Sequence, residues 1–238
     1  SPCAPASAGA FFYRYTFIML LTPYGLREWL TITVLCVALA GVAIWLGWWW
    51  LAAIAFILWL AGVGFFRDPI RRVPNDLPPG TMLSPADGTV RSVTRVDHHD
   101  ATDGPAVVIR IFLSVLNVHI NRFPESGEVV SVKHTPGKYL DARKEESAKL
   151  NESNMVVYRT EQGDTLGVRQ ISGAIARRIV CPITPGQRFS RGQRYGMIKF
   201  GSTTELILPR PDDVAVHVRE GQKVKAGIDV LATLPPRE

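Results

Sequence analysis

Between Trp29 and Phe66 the chain runs for 38 residues without a charged side chain, and all six tryptophans fall inside that run. As one helix it would be roughly 57 Å long, against about 30 Å for the hydrocarbon core of a bilayer. Two helices of about 18 residues, turning near Gly47-Trp48-Trp49-Trp50, fit that thickness better and leave indoles at the interface. A spanning hairpin and a re-entrant hairpin satisfy the pattern equally. Arg14 and Arg27 precede the run, and Arg67, Arg71 and Arg72 follow it. A hairpin returns both flanks to one face, which the positive-inside rule makes cytoplasmic, on a cell membrane. The run is too long for a secretory signal, and no small-residue cleavage site follows it. The first methionine is Met19. Residues 1–28 therefore read as an N-terminal extension, 29–66 as a membrane hairpin, and 67–238 as a separate soluble domain.

Residues 67–238 hold 25 of the 27 bases and 20 of the 21 acids, a balance of +5 within a total of +6. A basic domain beside a membrane segment suits an anionic lipid surface or substrate. No arginine-rich stripe interleaved with aromatics points to nucleic acid. Cys3, Cys36 and Cys181 are odd in number and far apart, which suggests neither a disulfide framework nor a metal site.

The Pro-rich stretch from Val73 to Gly80 opens the soluble part. Short β-prone runs follow at Thr89–Val96, Ala106–Phe112, Glu128–Lys133, Met155–Thr160, Thr165–Ile171, Tyr195–Phe200, Thr204–Leu208, Val214–Val218 and Asp229–Thr233, separated by turn signals such as Asp103-Gly104. Ser172–Val180 reads as one short helix capped by Ser172, and Arg143–Leu150 as a polar loop or helical turn. Gly186-Gln187-Arg188-Phe189-Ser190-Arg191-Gly192 returns 35 residues later as Gly221-Gln222-Lys223-Val224-Lys225-Ala226-Gly227. Each copy reads as a tight turn between strand ends, with glycines where positive φ is needed. The pattern resembles the turns of lipoyl-type carriers and related sandwich-hybrid domains. The expected fold is mainly β: a barrel-sandwich-hybrid-like catalytic domain of two related halves, behind an N-terminal α-helical hairpin.

Three segments carry the chemistry: Leu83-Ser84-Pro85-Ala86-Asp87-Gly88, Phe112-Leu113-Ser114 through Val118-His119-Ile120-Asn121-Arg122, and Gly196-Met197-Ile198-Lys199-Phe200-Gly201-Ser202. In this order, behind a membrane lead-in, they resemble the phosphatidylserine decarboxylases, in particular the short bacterial and archaeal form. The resemblance covers about residues 62–238. It implies a proenzyme that cuts itself between Gly201 and Ser202 and turns Ser202 into a covalent pyruvoyl cofactor. Ser202 Oγ would attack the Gly201 carbonyl, and elimination, hydrolysis and loss of ammonia would follow. The products would be a large chain, 1–201, and a small one, 202–238, paired as a heterodimer whose further oligomerisation stays open. The residues alone support part of this. Losing CO₂ from an amino acid α-carbon needs an electron sink conjugated to the amine, and no glycine-rich phosphate cup accompanies a lysine that would hold pyridoxal phosphate. Glycine before the serine permits a strained turn with an open carbonyl.

The longer family members activate the serine with an Asp-His-Ser arrangement that uses the second histidine of a His-x-x-His element. Asp87 matches the Asp and His119 the first histidine, while Arg122 stands where the second would be. Either His119 serves both self-cleavage and catalysis, or Asp87 acts without an intervening imidazole. His119 is the expected proton donor after CO₂ leaves, in line with its family counterpart, and an imidazole titrates near neutral pH as that work requires. Arg122 is the candidate for the substrate phosphate, from its nearness to His119 in sequence. The substrate is phosphatidylserine in the bilayer and the product phosphatidylethanolamine; a serine lipid such as archaetidylserine would leave the same motifs. His217 on an alternating strand reads as structural, and His98, His99 and His134 as solvated. A non-catalytic lipoyl-like scaffold would need a lysine at a hairpin tip, in an Asp-Lys-Ala or Met-Lys-Met context, which neither glycine echo presents. A zinc peptidase would need a His-x-His element, and Val216-His217-Val218 supplies one histidine.

Overall fold

The computed structural model of the chain describes residues 21–141, 145–174, 178–199 and 201–236. Arg14, Cys3 and the rest of 1–20, Arg143 and Phe200 lie outside them. The chain divides into two compact units at Ile70/Arg71.

The first unit is a helical hairpin. α1, Leu26–Trp45, and α2, Trp49–Phe65, meet at a turn where Gly47 takes φ +76°. At 1.5 Å per residue they are about 30 and 25 Å long. The segment Pro23–Trp45 is long and apolar enough to cross a membrane, with a mean hydropathy of 1.9 and only 6 % of that stretch buried. Trp59 Nε1 donates to Thr33 Oγ1 across the pair at 3.0 Å. Thr22 N–H donates to Phe66 C=O at 2.8 Å, which brings the two ends of the hairpin side by side. Charge-free side chains such as Val34, Leu35 and Ile57 face outward. A water-soluble helix pair would bury such a face.

The second unit is mainly β, as the alternating sequence predicts. The strands are β1 Thr81–Leu83, β2 Gly88–His99, β3 Gly104–Leu113, β4 Ile120–Arg122, β5 Gly127–Thr135, β6 Ser153–Thr160, β7 Thr165–Ile171, β8 Arg178–Val180, β9 Arg188–Phe189, β10 Arg194–Lys199, β11 Ser202–Pro209, β12 Ala215–Val216, β13 Lys223–Val224 and β14 Val230–Thr233. A curled eight-stranded antiparallel sheet runs β13-β2-β3-β11-β7-β6-β5-β9, and two three-stranded sheets, β1-β14-β12 and β4-β10-β8, accompany it. The core gathers Ile109, Ile111, Val168 and Leu206 from the large sheet with Met82, Tyr195 and Leu231 from the small ones.

Ser172–Val180 is not one helix: Arg178–Val180 pairs with β10, Ile179 opposite Ile198. Three residues are too few to show a period, and this strand exists only through its pairing with β10. Residues 175–177 lie outside the described set. Glu145–Leu150 forms a short helix, α3. His99 is also not solvated. It is half-buried, its Nδ1 accepts from Ala101 N–H at 3.1 Å, and burial holds its pKa below the ordinary imidazole value.

The glycine echo is structural. Gly186, Gly192, Gly221 and Gly227 all have φ between +68° and +84°. Each copy makes matching bonds: Gly186 N–H donates to Val129 C=O and Gly221 N–H to Val90 C=O, while Gly192 N–H donates to Phe123 C=O and Gly227 N–H to Ser84 C=O. The segments they clasp correspond as well, Ser84-Pro85-Ala86-Asp87-Gly88 to Phe123-Pro124-Glu125-Ser126-Gly127. Leu83 N–H donates to Pro124 C=O and Arg122 N–H to Pro85 C=O, both at 3.0 Å. The two halves are therefore related by a pseudo-two-fold.

Candidate active site

β10, ending at Lys199, and β11, beginning at Ser202, belong to different sheets. Gly201 makes the crossing at φ +66°, a left-handed conformation that costs a side chain with Cβ about 1–2 kcal/mol. β11 then runs between β3 and β7, with Ser202 opposite Leu113 and Thr204 opposite both Ile111 and Gln170. Period-two alternation puts Ser202 on the interior face with Thr204 and Leu206. Ser202 is fully buried, and its Oγ has no hydrogen-bond partner among the described residues. A hydroxyl buried in that way is unusual.

His119 is brought to the same place by the chain leaving β3. Ser114-Val115-Leu116-Asn117 is a tight turn closed by Asn117 N–H donating to Ser114 C=O at 2.9 Å. The Asn117 Oδ1 accepts from Ser114 N–H at 2.9 Å and from Ser114 Oγ–H at 2.7 Å. The Asn117 carbonyl lies 3.0 Å from His119 Nδ1, and Gly201 N–H donates to His119 Nε2 at 3.2 Å. These two contacts fix the tautomer: Nε2 accepts, so Nδ1 carries the proton and donates to Asn117 C=O. The buried imidazole is thus neutral, with its lone pair one residue from the Gly201–Ser202 bond.

Asp87 is placed differently. Its Oδ1 accepts from Ala226 N–H at 2.8 Å and its Oδ2 from Arg71 Nη2 at 2.7 Å. Neither bond goes to His119 or Ser202. In the other half Ser126 occupies the equivalent position, and its Oγ accepts from Arg191 N–H at 3.0 Å. The bond to Ala226 is therefore the clamp of a repeated turn.

Arg122 is buried and donates from Nη1 to Gly192 C=O at 3.0 Å, and a Cβ on Gly227 would lie 3.0 Å from its Cδ. It braces the two glycine turns against each other. His217 Nε2 lies 2.8 Å from Thr233 Oγ1.

Sequence reasoning missed three contributors. Asn117 sets the imidazole orientation, and its signal was an Asn closing a four-residue turn. Arg71 is the ion-pair partner of Asp87, with both side chains about one-tenth exposed. A buried amide row lies one register step from Ser202: Gln170 Nε2 donates to Asn121 Oδ1 at 2.9 Å, and Asn121 Nδ2 to Thr204 Oγ1 at 3.0 Å. Gly196 leaves room for that row, since a Cβ there would sit 2.9 Å from Gln170 Nε2 and 2.3 Å from Val180 O. Among the described residues no group of three His, Cys, Asp or Glu side chains could hold a metal ion.

Set beside known proteins, residues 61–232 match the family model for phosphatidylserine decarboxylase. The chain belongs to the phosphatidylserine decarboxylase family. It is similar to the phosphatidylserine decarboxylase proenzyme of Rhodopirellula baltica, 44 % identical over 211 residues that cover 87 % of this chain and 85 % of that one. The proenzyme of Carboxydothermus hydrogenoformans is 44 % identical over 185 residues, 78 % of this chain and 85 % of its own. That of Desulfotalea psychrophila is 41 % identical over 184 residues, 77 % and 82 %. The phosphatidylserine decarboxylase family is thus matched across the part of the chain that holds Asp87, His119, Gly201 and Ser202.

Proposed function

We propose that the chain is a membrane-anchored, pyruvoyl-dependent decarboxylase that converts phosphatidylserine to phosphatidylethanolamine and CO₂, after cutting itself between Gly201 and Ser202. The observation that carries this reading is the Gly201 N–H bond to His119 Nε2 beside a buried, unpartnered Ser202 hydroxyl. These residues fit a serine-derived cofactor: the hydroxyl is committed to no other bond, a neutral base is adjacent, and the glycine turn leaves the carbonyl unshielded.

In self-cleavage Gly201 N–H swings off His119 Nε2, and Ser202 Oγ bonds to the Gly201 carbonyl carbon while its proton passes to the freed Nε2. The Gly201–Ser202 C–N bond breaks as the Ser202 nitrogen takes up that proton, leaving an ester and a free amine. Removal of the Cα proton of residue 202 and departure of the Gly201 carboxylate break the Cβ–Oγ bond. Water then replaces the nitrogen, which leaves as ammonia. The pyruvoyl carbonyl supplies the electron sink that decarboxylation requires. Once cut, Gly201 is a free chain end whose N–H can withdraw from Nε2, and His119, held through Nδ1 by Asn117 C=O, would then deliver a proton to the substrate α-carbon. Asp87 holds the turn beneath this constellation and Arg122 braces it. The small chain stays bound after cutting because β11 is hydrogen-bonded on both sides, to β3 and β7. The outward-facing apolar helices supply the anchor, and the flanking bases place the catalytic unit on the cytoplasmic face.

Intact mass of the purified protein, with and without borohydride, tests the reading. The expected result is two pieces, 1–201 and 202–238, with a reducible carbonyl on the smaller, and no cutting or CO₂ release from Ser202→Ala. An active chain that remains whole and carries no carbonyl would overturn it.

A further inference from the structure

One end of the large sheet differs from the other in a way that self-cleavage does not require. Register pairs Thr135 with Ser153, Ser153 with Ile171, Ile171 with Thr203, and Ser202 with Leu113. The chain segments beyond these residues therefore emerge together, at the end where Ser202 begins β11. Among the described residues of 71–238, five large apolar side chains are exposed, and four of them are here: Val115 at 44 %, Leu116 at 84 %, Tyr139 at 41 % and Leu150 at 44 %. Val115 and Leu116 fill the two central positions of a turn, where small or polar residues are the rule. Asn117 and Ser114 hold that turn rigid, so its apolar tip is presented rather than folded inward. Val115 Cγ2 also lies 3.9 Å from where a Cβ on Gly201 would stand, so the tip adjoins the cleavage site.

Charge follows the same division. The apolar end exposes Lys138, Lys149 and Arg178 against Glu146. The opposite end, about 30 Å away along the ten residues of β3, exposes Asp100, Asp103, Glu161, Asp212 and Asp213, of which Asp212 pairs with Arg95 and Asp213 with Arg210, and none of the five large apolar side chains. Apolar tips ringed by bases fit an anionic lipid surface, into which the tips insert while the bases meet headgroups. The opposite end, with no exposed apolar tip and its acids partly paired with arginines, offers no such surface.

We propose that the Val115-Leu116 turn, with Tyr139 and Leu150, is a second membrane contact that seats the mouth of the catalytic site in the headgroup layer of an anionic bilayer. This rests on the decarboxylase reading for its purpose but not for its test. The full chain, with Cys3→Ser, Cys36→Ala and Cys181→Ala, is labelled at Leu116→Cys with an environment-sensitive fluorophore and placed in nanodiscs of phosphatidylcholine and phosphatidylglycerol. Brominated acyl chains should quench that label several-fold more than the same label at Asp100→Cys. Equal quenching at the two positions overturns the proposal, as does a Leu116 label that is quenched only when a second copy is present. A second arm compares CO₂ release from bilayer phosphatidylserine with release from its soluble dihexanoyl analogue. Leu116→Asp should mature normally and lower the bilayer-to-soluble ratio about tenfold, while Leu116→Trp, an interfacial side chain, keeps it. A fall of both rates together, or of neither, counts against the contact. Wild-type protein that releases CO₂ from neither lipid would sink the decarboxylase reading alone, leaving the fluorescence arm to decide this one.

Discussion

Gly201 offers a quantitative test, because backbone conformation and space can be separated there. Its φ of +66° is left-handed, yet among the described residues beyond its chain neighbours a Cβ built on it would meet one atom, Val115 Cγ2, at the ordinary contact distance of 3.9 Å. Alanine at this position is therefore disfavoured by conformation and not by collision. A left-handed non-glycine residue costs about 1–2 kcal/mol, which lowers the population of the attack-ready turn by a factor of about 5–30 at 25 °C. Gly201→Ala should thus slow self-cleavage by roughly that factor without preventing it. Gly201→Asn, which tolerates the left-handed region, should fall between glycine and alanine, and Gly201→Val should be slower than alanine. The assay is a pulse of cell-free synthesis in the presence of lipid, followed on gels as the full chain gives way to 1–201 and 202–238. Alanine cutting at the glycine rate, or asparagine more slowly than alanine, would refute the claim that the positive φ readies this bond.

Three further outcomes follow from the same geometry. Asp87→Asn keeps an acceptor for Ala226 N–H but strands Arg71, so it should destabilise the fold by about 3 kcal/mol or somewhat less, given the pair's partial exposure; Arg71→Met should do the same in a thermal melt, and both should slow cutting less than His119→Gln. Gly196→Ala drives a Cβ to 2.3 Å from Val180 O; the resulting overpacking should cost about 1–3 kcal/mol and lower the yield of mature enzyme, measured by melt and gel. The Cys181 thiol is pushed up to about 11 by burial, roughly two units above its ordinary value, so its alkylation at pH 8 should be about a hundredfold slower than that of an unfolded thiol. Mass-resolved labelling in native and denatured protein checks this.

What the sequence reveals here depends on whether the physics is local. The apolar run points to a helix pair because 38 uncharged residues as one helix would be nearly twice as long as the hydrocarbon core is thick. β-propensity and turn signals place the strands of the large sheet, and alternation shows only where one face is exposed, as in β2, since β11 is buried at every position. Both signals are written in neighbouring residues. The Ser172–Val180 segment fails because its strand is three residues long and exists by pairing with β10, whose partners lie 17–21 residues away. Asp87 shows the same limit at the site. Sequence places it near Ser202 by resemblance, but its two bonds go to Arg71 and Ala226. Nothing in the neighbourhood of position 87 announces either partner.

The pseudo-two-fold supplies what the linear pattern withholds. Once Asp87 is superposed on Ser126, its bond to Ala226 N–H matches the bond of Ser126 to Arg191 N–H. That interaction cannot be specific to chemistry, because the half that carries it on Ser126 has no cleavage site. What remains particular to Asp87 is the Arg71 ion pair, and what remains particular to the reacting half is the Gly201 contact with His119. Under the proposed mechanism, the asymmetry between the halves singles out the imidazole contact as the feature that the non-reacting half lacks. It also explains how an Arg at position 122 is accommodated: the site that a second histidine would fill is used to hold two glycine turns together.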